Sequence, residues 1–118
     1  MRFDGDNKKV DSLEKNYDKL YSGEVQIIIG TQVVAKGLDL PKLRSVSIVQ
    51  ADAGLALPDF ATNERAFDLV SQVVGRVGRD NSPTSVVIQS YQPTAEPIQL
   101  GSRSDYSSFY LHEIAQRQ

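Results

Sequence analysis

The order in which short β-branched runs alternate with helical patterns constrains this chain more than any other feature. Val25-Gln26-Ile27-Ile28-Ile29 is almost wholly β-branched and closes on Gly30-Thr31, the pattern of a strand buried on both faces. Ser45-Val46-Ser47-Ile48-Val49-Gln50 alternates as a second strand does, and Ser85-Val86-Val87-Ile88-Gln89, within 84–90, is a third. Arg2-Phe3-Asp4 reads as the tail of a further strand, followed by turn chemistry in Gly5-Asp6-Asn7. One helix starts near Asp11, capped by Asp11 or Ser12, carries Leu13, Tyr17 and Leu20 at helical spacing, and stops at Gly23. A longer one, capped by Asp59 or Thr62, runs to about Arg79 and is broken by Asp80-Asn81-Ser82-Pro83; a last one, capped by Asp105, ends near Gln116. Residues 51–58 form a loop, and Pro93 and Pro97 punctuate another. Strand, helix, strand, strand, helix, strand, helix is the order of an α/β fold with a parallel sheet, whose ligands collect at the carboxyl ends of the strands. The loops 30–39 and 51–58 lie at such ends.

The 118 residues are expected to form one domain, near the lower size limit for a layered α/β fold. A net charge of -2 and a pI near 5.3 argue against a free-standing nucleic-acid-binding module, which carries a basic footprint, so any DNA contact is local. Without cysteine there is neither a disulfide framework nor a thiolate zinc site in the chain. No apolar run is long enough for a bilayer and no leader is read at the start, so no membrane partner and a cytoplasmic location are expected.

The densest chemical signal is Gln72-Val73-Val74-Gly75-Arg76-Val77-Gly78-Arg79. On a continuous helix Gln72, Arg76 and Arg79 fall within roughly 60° of one another, while Phe67, Val70, Val73, Val74 and Val77 gather on the opposite face. Such a helix buries valines and presents an anion-facing row. Gly75 and Gly78 each cost about 1 kcal/mol in helix propensity, which makes sense where another backbone or a ligand comes close. The ordinary alternative is a solvated face with a glycine stop.

These stretches resemble a known family. Gly30-Thr31-Gln32-Val33-Val34-Ala35-Lys36-Gly37-Leu38-Asp39 is similar to motif V of superfamily 2 helicases, and Gln72 to Arg79 to their motif VI. Ala51-Asp52-Ala53-Gly54-Leu55, Leu57-Pro58-Asp59-Phe60 and Glu64-Arg65 resemble the bacterial primosomal replication-restart helicases, the primosomal protein N-prime family. The similarity also takes in Arg2 to Asp6 and the segment from Tyr91-Gln92-Pro93 through Asp105-Tyr106 to Arg117. Arg76-Val77-Gly78-Arg79 alone resembles branch-migration helicases as closely; the Gly-Thr-Gln and Ala-Lys-Gly of motif V and the Leu-Pro-Asp-Phe segment separate the two.

The resemblance implies part of the second RecA-like lobe of a DNA helicase: a three-layer parallel sheet flanked by helices, acting on ATP and Mg2+ shared with a first lobe that is not in this chain. By motif position Arg79 is the arginine finger, Arg76 a second cation and Gln72 the residue that positions the row. Asp39, with Lys36 and Gly37, faces the nucleotide; Gly30, Thr31 and Gln32 hold a DNA phosphate, a task also open to Lys36. Val74 and Val77 stand where the family usually has alanines, and Asp80 where it has a small residue. The implied partners are single-stranded or forked DNA, the first lobe, primosome proteins and single-stranded-DNA-binding protein. Zinc belongs to the parent family, in a region upstream of Met1. With no Gly-x-x-x-x-Gly-Lys-Ser/Thr loop and no Asp-Glu pair after a strand, the chain reads as an excised piece that does not hydrolyse ATP alone. The alternatives are a stand-alone, non-catalytic helicase-like DNA- or protein-binding module, or a lobe of another superfamily 2 helicase of the branch-migration type.

Tyr106, Phe109 and Tyr110 are at helical spacing that docks the last helix onto the sheet, with base stacking as the other option. His112 reads as a surface residue without partners, and no metal site is expected.

Overall fold

The computed structural model of the chain describes residues 2–3, 10–31, 40–55, 59, 61–77, 81 and 83–118. In chain order these form β1 (Arg2–Phe3), α1 (Val10–Ser22), β2 (Ile29–Gly30), β3 (Ser45–Ile48), α2 (Thr62–Val74), β4 (Ser85–Ile88), α3 (Glu96–Ser102) and α4 (Tyr106–Arg117). Every ladder is parallel, as the strand and helix order requires. β1 pairs with β2, Arg2 opposite Ile29 and Phe3 opposite Gly30. β3 pairs with β4 in the register Ser45 to Ser85 through Ile48 to Ile88. Among the described residues these are two separate two-stranded pairs.

β3 and β4 show the alternation of a sheet covered on one face. Val46, Ile48, Val86 and Ile88 are half-buried, whereas Ser45, Ser47, Ser85 and Val87 are exposed. The covered face meets α2 and α3: Ala51, Val70 and Ile98 are buried together, with Ile48, Leu55, Val74, Ile88 and Ala95 packed around them. Behind this layer Phe67, Leu100 and Phe109 join α2 to α3 and α4.

Three expectations need correction. The segment 25–29 is not a buried strand. Among the described residues only Ile29 of this run enters a ladder, opposite Arg2. Val25 and Ile28 pack on Leu20 of α1, while Ile27 and Ile29 are 70% and 63% exposed. Secondly, α3 replaces an expected loop. Pro97 sits in the first turn of α3, where its missing N–H has no helical partner to lose and its fixed φ suits the helix. Thirdly, α4 docks on helices rather than on the sheet. Phe109 is buried, whereas Tyr106 and Tyr110 are 64% and 51% exposed, their rings stacked on each other.

α1 starts at Val10, so Asp11 and Ser12 lie inside it rather than capping it. Gly23 takes φ +84°, the left-handed stop read from the sequence, and Lys42 Nζ donates to the Ser22 carbonyl at 2.9 Å. α3 ends in a Schellman arrangement: Asp105 N–H bonds Leu100 O at 2.9 Å and Ser104 N–H bonds Gly101 O at 3.1 Å, with Ser104 at φ +53°. Asp105 then caps α4 as expected, accepting from Ser108 N–H at 3.1 Å.

Candidate functional site

α2 carries the described part of the Gln/Arg row, and its core-facing side is as expected. Phe67, Val70 and Val73 are buried, and Val74 packs against the same core. At the start of the helix Asp59 acts one turn early. Its Oδ1 accepts from Ala61 N–H at 3.0 Å and its carbonyl from Thr62 N–H at 3.1 Å, so Ala61, not Asp59 or Thr62, is the capping position. The Ala61 N–H, followed by the Arg65 guanidinium at 2.8 Å, holds the Asp59 carboxyl below its ordinary value.

The described part of the row runs past the end of the helix. α2 stops at Val74; Gly75 N–H closes on Ser71 O at 3.0 Å, and Arg76 N–H reaches back only three residues, to Val73 O at 3.1 Å. Arg76 is therefore on a tightened turn just beyond the helix and, like Gln72, half-buried. The physical reason is the glycine, whose backbone freedom makes it the weakest helix former after proline at the point where the helix would continue. Among the described residues a Cβ at Gly75 would meet Ser71 O at 3.4 Å and Gln72 O at 3.7 Å. Arg79 and Gly78 lie outside the described residues.

Gly30 and Thr31 stand at the carboxyl end of β2, both exposed. Gln32, Lys36, Gly37 and Asp39 lie outside the described residues. What remains of the site is donor-rich. Gln72, Arg76 and Thr31 offer N–H and O–H groups suited to phosphate oxygens. No group of His, Cys, Asp or Glu side chains among the described residues is placed to hold a metal ion.

One constellation was not read from the sequence. Beyond the last ladder pair, Gln89 N–H donates to Ile48 O at 2.9 Å and Ala51 N–H to Gln89 O at 3.0 Å, so the two strand ends stay joined. Asp52, only 6% exposed, accepts from Tyr91 N–H at 3.3 Å. These loops frame a cavity of about 230 Å³ lined by Val49, Gln50, Gln89, Ser90 and Tyr91, at the carboxyl ends of β3 and β4. The Ala51-Asp52 pair at a strand end was the available signal, but its partner is 39 residues away. His112, read as partnerless, is half-buried and shares a hydrogen bond with Gln116 Nε2 at 2.9 Å.

Comparison with known proteins gives a consistent result. The profile of the helicase conserved C-terminal domain matches residues 1–81. The replication restart protein PriA of Bacillus subtilis (strain 168) is 44% identical over 104 residues, which cover 88% of this chain and 13% of that protein. Replication restart protein PriA of Chlamydia pneumoniae is 38% identical across 100% of the chain and 16% of its own length; that of Treponema pallidum (strain Nichols) is 38% identical across 99% and 18%. The chain thus spans less than a fifth of the length of these relatives. Among the described residues no helix is long and apolar enough to cross a membrane.

Proposed function

Because the chain belongs to the helicase conserved C-terminal domain family, we propose that it is the second RecA-like motor lobe of an ATP-dependent DNA helicase of replication restart. The observation that carries this reading is the match over residues 1–81, which contains both Gly30 to Asp39 and Gln72 to Arg79. On this reading the 118 residues form one domain, and the two parallel pairs belong to one three-layer sheet.

The roles follow from chemistry and motif position. Phosphoryl transfer spreads charge over oxygens and asks the protein mainly for positioning and cations. Arg79 supplies the finger to a nucleotide held by the first lobe, Arg76 a second cation on the same phosphates, and Gln72 orients the turn between them. Asp39 accepts from the ribose, with Lys36 and Gly37 beside it, and Gly30, Thr31 and Gln32 hold a DNA phosphate. ATP with Mg2+ supplies the driving reaction when bound; the residues described here fit its phosphates rather than its metal ion. Zinc lies in a part of the parent outside this cysteine-free chain. Single-stranded or forked DNA, primosome proteins and single-stranded-DNA-binding protein are the partners, in the cytoplasm.

The decisive experiment uses the full-length parent. Arg79→Ala collapses ATP hydrolysis by about 10³- to 10⁵-fold while nucleotide binding survives. Hydrolysis within a few-fold of the native rate places the finger elsewhere. This chain alone shows no ATP turnover, with or without single-stranded DNA.

A further inference from the structure

We propose that the cavity between the ends of β3 and β4 is a nucleobase-stacking subsite, with Tyr91 as its platform. Tyr91 is 88% exposed and Val49 74%, the two most exposed of the large apolar side chains among the described residues, and both line this cavity. Asp52 Oδ1 holds the Tyr91 N–H, Ser90 Oγ accepts from Gln92 N–H at 2.9 Å, and Gln89 is bonded on both sides to Ile48 and Ala51. The backbone that carries the ring is therefore pinned on both flanks, so little further order is lost when a flat partner lies on it.

The lining selects the partner. Among the described residues the lining side chains Val49, Gln50, Gln89, Ser90 and Tyr91 carry no ionised group, which favours an uncharged planar partner over a phosphate. Gln50 and Gln89 each bring an amide donor and acceptor, matching the mixed polar edge of a base. About 230 Å³ is below the roughly 300 Å³ at which clefts for whole small molecules begin, which suits one base rather than an entire nucleotide. The base comes either from a DNA strand or from a free nucleotide, and the inference rests on the helicase-lobe reading for that supply.

The test compares the native chain with Tyr91→Ala and Tyr91→Phe by fluorescence anisotropy at low salt, on a short oligothymidylate and on an abasic strand of equal length. Stacking predicts that Tyr91→Ala weakens oligothymidylate binding by roughly 5- to 100-fold. Tyr91→Phe retains binding, and the slope of affinity against salt is unchanged because no phosphate contact is removed. The abasic strand binds native chain and Tyr91→Ala alike. Amide NMR titrations identify the source: shifts at Gln50, Gln89 and Tyr91 with adenosine monophosphate indicate a free nucleotide, and shifts with oligothymidylate alone indicate a strand. Equal oligothymidylate affinity for native chain and Tyr91→Ala, together with no response of these three residues to adenosine monophosphate, overturns the proposal. The Arg79→Ala assay reads hydrolysis by the parent and the Tyr91 variants read base binding by this chain, so either reading can fail while the other stands.

Discussion

The rings of Phe67 and Phe109 lie face to face, their centroids 4.2 Å apart and their planes within 5°. This contact ties the C-terminal helix to the helix that leads into the Gln/Arg row. Asn63 Nδ2 adds a hydrogen bond to Glu113 Oε1 at 3.0 Å one turn away, and Arg117 approaches both Glu113 and Glu64. Since both rings are about 96% buried or more, Phe109→Ala removes a ring from a packed site and leaves a cavity. A loss of about 3–5 kcal/mol is expected from urea unfolding, a large share of the stability of a small domain. A loss below 1 kcal/mol would mean that α4 is an appendage rather than part of the core.

Gly101 lets α3 lie against α2. A Cβ at this position would stand 3.0 Å from Val70 Cβ and 3.1 Å from the Phe67 carbonyl oxygen. Neither is the loose end of a flexible chain, because Val70 is fully buried and the carbonyl belongs to a helix. Gly101→Ala is expected to cost about 1–3 kcal/mol despite alanine's better helix propensity. Placed in a Val70→Ala background the same change costs less, and a double-mutant cycle by urea unfolding measures that coupling. Additive costs would locate the strain elsewhere.

Two carboxylates tie stability to acid pH. Asp105 is held below its ordinary value of 3.8 chiefly by the Ser108 hydroxyl and then by the Ser108 N–H, and Asp59 by the Ala61 N–H and Arg65. A carboxyl whose native pKa is depressed stabilises the fold fully above its unfolded pKa and loses that contribution as pH falls through the native value. The chain is therefore expected to lose Tm as pH drops from about 4 downward, through the range set by the unfolded value. Asp105→Asn keeps a capping oxygen but cannot titrate, so its Tm falls less steeply over that range. Parallel Tm profiles for native chain and variant would remove Asp105 from the account.

Local signals were legible where one residue decides. The left-handed stop at Gly23 and the Asp105 cap follow from backbone freedom and a short acceptor, and both stand as read. Alternation over Ser45–Ile48 gave a half-covered strand in place. Errors arise where a residue type has two meanings. Pro97 breaks a helix interior but starts a helix equally well, and in the first turn of the seven-residue α3 it starts one. A β-branched run such as 25–29 states a conformational preference and not a burial, which depends on the strands beside it. The Gln/Arg row assumed uninterrupted helical periodicity across Gly75. The Asp52 to Tyr91 contact has no periodic signature at all, since it depends on where two strands end.

Ser104 is the cheapest stabilising site on this surface. Its φ of +53° is the left-handed conformation that L side chains disfavour, and it is imposed by the turn that ends α3. Ser104→Gly leaves the two backbone bonds to Leu100 and Gly101 in place and relieves the Cβ conflict, so a gain of about 1 kcal/mol is expected in urea unfolding. A loss of stability would show that glycine's extra freedom in the unfolded chain outweighs the relief.

Gly75 separates stability from activity. Its φ of -71° and ψ of -6° are open to alanine, and the nearest atoms to an added Cβ are at ordinary contact distance. Gly75→Ala is therefore expected to stabilise the chain by about 0.4–1 kcal/mol, through the unfolded state and through helix propensity. The same change favours another turn of α2 and so moves Arg76 from its tightened turn toward the row above Gln72. If the turn is what aims Arg76 at phosphate, ATP hydrolysis by the full-length parent carrying Gly75→Ala falls while its folding stability rises, the usual trade between stability and activity. Hydrolysis at the native rate in a stabilised parent would show that the break at Gly75 has no part in catalysis, and that Arg76 serves equally well from either position.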